Sequence, residues 1–295
     1  MLRSPTFRLL LHYLGLPKDN PAEANEIYLQ KLVNLIRDAR YVQRAVVLGM
    51  DGVYDDEGRL DEKNTEFLVS NDYVFKTVER FPQYFKAGVS INPKRRDALE
   101  ELQRCVHAGA VLVKVLPNSQ RFNLSDKRFI PFFRSMADAR IPLLCHVGYE
   151  FSLRGKEQSL GDPNNLRLPL DQGVNVIAAH GMSHGLFWPE KYWNTFREFV
   201  SRYANFYWDA SALSLPSRVG MLLRLRHHPE IRERMFFGTD YPLPVFAYPA
   251  LLVGHWKAYW RLKKIQNPFD RYFMLLQDLG FDSPTRNASN KFLCD

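Results

Sequence analysis

Short apolar runs recur along this chain at intervals of about thirty residues, and a longer amphipathic stretch follows each of them. The runs cover residues 44–50, 85–91, 110–116, 141–147, 174–180, 205–210 and 234–239. They are strand-length, rich in Val, Ile, Leu and Phe, and mostly bounded by Gly, Pro, Asn or Asp. The stretches 94–108, 125–139 and 190–203 carry helical patterns. Strands alternating with helices make βαβ units and a parallel sheet. Polar residues near the run ends, Lys114, His146, His180, Asp209 and Asp240, keep the same step, which is the length of one βα repeat.

Seven strands are visible. A doubly wound open sheet can have seven, but no Gly-rich phosphate loop follows any of them. A (β/α)8 TIM barrel needs eight. The one without a counterpart is at the start, because residues 1–43 read as a helical segment. The expectation is a single barrel domain over 1–295 that lacks its first strand. Residues 44–295 then supply strands two to eight and the C-terminal helices.

Composition narrows the function classes. With 46% hydrophobic and 24% charged residues, the chain has the makeup of an ordinary globular protein. No apolar run reaches the ~18 residues of a membrane span, so no membrane partner is expected. Cys105, Cys145 and Cys294 are few and widely spaced, which argues against a disulfide framework and fits a reducing cytoplasm. The formal charge of +8 raises nucleic acid as a partner. The basic residues are scattered, however, and the densest runs, 221–234 and Lys257, Arg261, Lys263 and Lys264, read as solvated helix faces. No nucleic-acid partner is expected. A basic rim equally favours an anionic small-molecule substrate, and a homodimer stays open.

Active sites of such barrels lie at the C-terminal ends of the strands. Alternation puts Leu112, Lys114 and Leu116 on one face and Val111, Val113 and Val115 on the other, so Lys114 points inward, where an ammonium needs a partner or a role. Two histidines and an aspartate from separate strands can converge on a divalent ion such as zinc. A metal acidifies its water, and a neighbouring His or Asp then handles the proton. Asp209 either lines the pocket or makes structural hydrogen bonds. Arg154, Lys156 and Arg167, on the long polar loop 150–173, are placed to hold a substrate carboxylate or are solvated. His184 reads as a surface-loop residue, and Cys145 as a buried small hydrophobe.

Seven segments in fixed order carry a family resemblance: FPQYFKAGVSINP (81–93), GAVLVKVLP (109–117), IPLLCHVG (141–148), VIAAHGM (176–182), NFYWDAS (205–211), FFGTDYP (236–242) and RNASNKF (286–292). With them the chain resembles the amidohydrolase superfamily, in its amidohydrolase-related branch of metal-dependent TIM-barrel hydrolases and decarboxylases. The resemblance implies that His146 is the fifth-strand metal ligand. It implies that His180 is the sixth-strand ligand or acid/base. It implies that Asp240 is the eighth-strand ligand that also handles the proton of the attacking water. Lys114 falls where some members carry a carboxylated lysine; in this branch it is expected on the substrate side. The family's opening Asp-x-His-x-His has no match here, since His12 stands alone in LLLHYLG. The chain is therefore expected to begin after the first strand, leaving a gap with exposed edges for the N-terminal segment or a partner to cover.

The function implied is that of a metal-dependent hydrolase, with zinc as the ion and with Asp240 and His180 moving protons. Two alternatives are a metal-dependent, non-oxidative decarboxylase of a small carboxylic acid and a barrel left catalytically incomplete by the absent His-x-His strand.

Overall fold

In the computed structural model, which describes residues 11–17, 19–150, 157–186 and 190–281, a single parallel sheet follows the order of the chain. Its strands are β1 (Ala45–Leu48), β2 (Phe85–Val89), β3 (Ala110–Val115), β4 (Leu143–Cys145), β5 (Val176–Ala178), β6 (Phe206–Asp209) and β7 (Met235–Phe236). Every neighbouring pair is parallel. The main helices are α1 (Pro21–Arg37), α2 (Asn71–Arg80), α3 (Ala98–His107), α4 (Ile130–Asp138), α5 (Arg167–Asp171), α6 (Trp193–Arg202), α7 (Val219–Leu225), α8 (Trp256–Lys264) and α9 (Pro268–Asp278). Among the described residues this is an α/β fold with a curled parallel sheet of seven strands, a TIM-barrel architecture with one strand fewer than eight.

Side-chain alternation sorts the strands into two faces. Val113, Val115, Leu143, Cys145, Val176, Phe206 and Trp208 pack outward with Leu102, Phe133, Phe196, Phe199, Leu222 and Leu275 of the helices. Leu112, Leu144, Ile177, Tyr207 and Phe236 form a smaller inner cluster. Lys114 shares the inner side, as its alternation requires. The runs read from sequence are longer than the strands. β5 stops at Ala178 and β7 at Phe236, so His180 and Asp240 sit in the turns beyond them.

Local signals start the helices that frame the open side of the sheet. Asn20 caps α1 by accepting from Glu23 N, and Pro21 occupies its first turn. Asn267 and Pro268 do the same for α9. Leu32, Val33 and Ile36 of α1 pack against Phe85 and Phe269, together with Ala45, Val47 and Tyr241. Asn267 Nδ2 donates to Leu35 O at 2.7 Å, and the Tyr28 and Tyr241 rings stack at 5.9 Å. Helix α1 therefore lies across the outside of the seam between the first and last strands. Among the described residues β1 pairs only with β2 and β7 only with β6, so both remain edges, and Leu48 is exposed at the end of β1.

The docking of α1 is testable. Ile36 is buried, and Ile36→Ala is expected to cost about 2–5 kcal/mol in urea unfolding. A cost below about 1 kcal/mol would show that α1 is not packed over the seam.

Candidate functional site

His146 follows β4 directly, and its backbone N donates to Val115 O at 3.0 Å, so the ladder itself fixes where the ring starts. The next residues swing toward the turn after β5. This needs Gly148 (φ 90°), because a Cβ there would lie 2.4 Å from Ser183 O. His180 has φ 58° and Asp240 φ 56°, both left-handed. Such a conformation costs an L-residue about 1–3 kcal/mol and persists only where the surroundings enforce it.

Asp209 enforces it at His180. Its Oδ1 accepts from His180 N at 2.8 Å, from Ser211 N at 2.9 Å and from Ser211 Oγ at 2.6 Å. Ser211 O lies 3.2 Å and Ser211 Oγ 2.8 Å from His180 Nδ1. The carbonyl can only accept, and the hydroxyl has already given its proton to Asp209. His180 Nδ1 therefore carries the hydrogen, and its Nε2 is a lone pair. That lone pair faces His146 Nδ1 at 3.3 Å and Asp240 Oδ2 at 3.9 Å.

Burial, reinforced by the positive charges of Arg218 and Lys114, holds His146 and His180 well below the usual histidine range, so both rings are neutral. Among the described residues His146 Nε2 is buried without a hydrogen-bond partner; Glu150 Oε2 lies 3.7 Å away. Burial also raises the Asp240 carboxyl, against the pull of Lys114. Its side chain is nevertheless 41% exposed, so it opens toward solvent and the rise is screened. Lys114 and Arg218 are each 8% exposed. Lys114 makes no hydrogen bond or ion pair among the described residues. Arg218 Nη1 donates to Ser183 O at 3.3 Å, and its charge is opposed by Asp240 first, then Glu150, Glu190 and Asp209.

Lys114, His146, His180, Asp209 and Asp240 thus come together at the C-terminal ends of the strands. Arg154 and Lys156 lie outside the described residues. Asp209 makes the hydrogen bonds of one of its two readings. His184 is not on a surface loop: it is buried, with Nδ1 3.1 Å from Glu190 Oε2. Arg167 is drawn away to Glu198 at 2.7 Å. Arg218 and Ser211 escaped the sequence reading. Ser211 stands in the WDAS segment, two residues past Asp209, whereas nothing in LPSRVG distinguishes Arg218 from a solvated arginine.

Among the described residues no three His, Cys, Asp or Glu side chains stand as a ready metal-binding group. The donor chemistry still fits a divalent ion. Two tetrahedral ligands at about 2.05 Å from an ion are about 3.4 Å apart. His180 Nε2 and His146 Nδ1 have that spacing, at 3.3 Å, and both rings are in the neutral form that ligation requires. A neutral imidazole offers one lone pair, so His146 would ligate through either Nδ1 or the orphaned Nε2, not both. A cavity of about 390 Å3 lies apart from these groups, between the 51–69 loop, α2 and α3, lined by Asp51, Asn71, Ser90, Arg95, Glu101 and Arg104. None of the converging His and Asp residues reaches it, so it is not the place of their chemistry.

The amidohydrolase profile matches residues 22–258, and the chain belongs to that family. No curated protein sequence matches it. A TIM-barrel protein from Bordetella bronchiseptica is 19% identical, with a TM-score of 0.60, and the alignment covers 94% of this chain and 92% of the other. A protein provisionally assigned as a 2-pyrone-4,6-dicarboxylic acid hydrolase, from Pseudomonas putida, is 12% identical, with a TM-score of 0.58 and coverage of 90% and 86%. A 5-carboxyvanillate decarboxylase from Novosphingobium aromaticivorans is 13% identical, with a TM-score of 0.51 and coverage of 94% and 88%; its structure holds manganese and 4-hydroxy-3-methoxy-5-nitrobenzoic acid. At these identities the likeness is one of fold.

The two depressed histidines give stability a sign with pH. They stay neutral in the folded chain, while the unfolded chain takes up protons below about 6.5. Their contribution is complete above that pH and is lost as pH falls below it. Asp240, raised when folded, works in the opposite sense at lower pH. The melting temperature is expected to drop from about pH 7.5 to 5.5, and to drop less in His146→Asn/His180→Asn. An equal drop in both proteins would contradict the assignment.

Proposed function

We propose that this chain is a metal-dependent hydrolase of small, carboxylate-bearing molecules. One observation carries the reading: two buried neutral imidazoles and Asp240 face one another beside two buried cations. Family membership supports it. His146, His180 and Asp240 would hold a divalent ion, and the imidazole and carboxylate donors favour zinc. When bound, such an ion supplies Lewis-acid activation of water and of a substrate carbonyl.

The chain's own residues do the rest. Asp240, open to solvent at the edge of the site, takes the proton of the attacking water and returns it to the leaving group. His180, locked in one tautomer by Ser211, serves through Nε2 as a ligand or as the next acceptor of Asp240's proton. Lys114 and Arg218 attract and orient an anionic substrate, and Arg154, outside the described residues, is proposed as a further anchor. The setting assumed is the reducing cytoplasm that the cysteines suggest.

Decarboxylation is the second reading, supported by the manganese-bearing relative. A carboxylate fixed between Lys114 and Arg218 is stabilised in the ground state, which favours keeping it over losing CO2. Hydrolysis therefore ranks first.

The test supplies zinc or manganese and a panel of lactones, esters and amides with and without carboxylates. Hydrolysis of the carboxylate-bearing members is expected. Asp240→Asn should lower kcat by about 10²-fold or more. Arg218→Met should raise KM at least about tenfold with little change in kcat. Release of CO2 from aromatic acids with no hydrolysis would establish the second reading. No turnover of either kind by the metal-loaded chain would leave the incomplete barrel.

A further inference from the structure

Away from this site, α8 and the short helix before it present a surface the proposed chemistry does not use. From Pro249 to Lys264 the chain contains no Asp or Glu. Leu252, Trp256 and Trp260 are 55%, 65% and 58% exposed. The two tryptophans, four residues apart, share one face of α8. The opposite face is anchored, since Leu262 is buried and Ala258 and Tyr259 pack on the main core. Lys263 Nζ lies 5.2 Å from the centre of the Trp260 ring. Arg261 is neutralised by Asp278, but Lys257, Lys263 and Lys264 make no ion pair among the described residues.

We propose that this face docks on an anionic lipid surface. Indoles favour the boundary between headgroups and acyl chains, where the apolar ring is buried and the ring N–H stays wet. A helix with Trp and Leu on one side and lysines around them lies in the plane of such a boundary. The lysines reach anionic headgroups, and the net charge of +8 draws the whole molecule in. A second copy fits less well. A two-fold contact here would press Lys257, Lys263 and Lys264 toward their equivalents. From sequence alone these lysines read as a solvated face, with no membrane partner expected. No helix of the described residues is long and apolar enough to cross a membrane, and docking on a surface requires none.

Flotation of the full chain with vesicles tests the proposal. The probes are phosphatidylcholine alone and the same lipid with about 30% phosphatidylglycerol. The bound fraction should be at least about tenfold higher on the anionic vesicles and fall as salt rises, and tryptophan emission should shift to the blue on binding. Trp256→Ser/Trp260→Ser and Lys257→Gln/Lys263→Gln/Lys264→Gln should each weaken binding about tenfold or more without changing the melting temperature. Three results would overturn the proposal: no vesicle binding, equal binding to both lipids, or binding that the folded variants retain. A solution dimer dissolved by the tryptophan pair, or tighter binding to single-stranded RNA than to vesicles, would reassign the face.

Discussion

One carboxylate oxygen organises this site. Asp209 Oδ1 accepts three hydrogen bonds, from His180 N, Ser211 N and Ser211 Oγ. The first holds a histidine backbone in a conformation that an L-residue disfavours. The third leaves the Ser211 hydroxyl free only to accept, which fixes the His180 tautomer. The direction of the Nε2 lone pair follows, and so does its approach to His146 and Asp240. Asp209 thus acts through His180, as a positioning residue at the end of β6.

A second constraint is burial. His146 and His180 are enclosed near Arg218 and Lys114, and that environment keeps both rings neutral. A neutral imidazole can bind a cation or accept a proton, whereas a protonated one can do neither. Under the proposed function, the two cations that reinforce burial in keeping the rings neutral, Lys114 and Arg218, are also the groups that would receive an anionic substrate.

Much of the fold was legible because it follows from periods. The thirty-residue step gives the seven strands, and alternation around Lys114 assigns Val113 and Val115 to the helices and Leu112 to the interior, as the two clusters show. The strand ends were less legible. His180 and Asp240 sit beyond β5 and β7, each in a left-handed turn, and no apolar pattern encodes such a turn. Asp209 was visible as a polar residue at a strand end, but which partners it meets is a matter of three dimensions. Arg218 was not legible, since what it meets, Ser183 by a hydrogen bond and Asp240, Glu150 and Glu190 by charge, is distant in sequence. The helical character of residues before β1 was readable from the apolar spacing; that α1 lies over the seam required the contacts with Phe269 and Tyr241.

The central claim is that His146 and His180 are donors to one divalent ion. Electron spin-echo spectroscopy of the chain loaded with one equivalent of manganese reads this directly. The account predicts nitrogen couplings from coordinated imidazole that weaken in His146→Ala and again in His180→Ala. A spectrum of fully hydrated manganese, unchanged by either substitution, would contradict it.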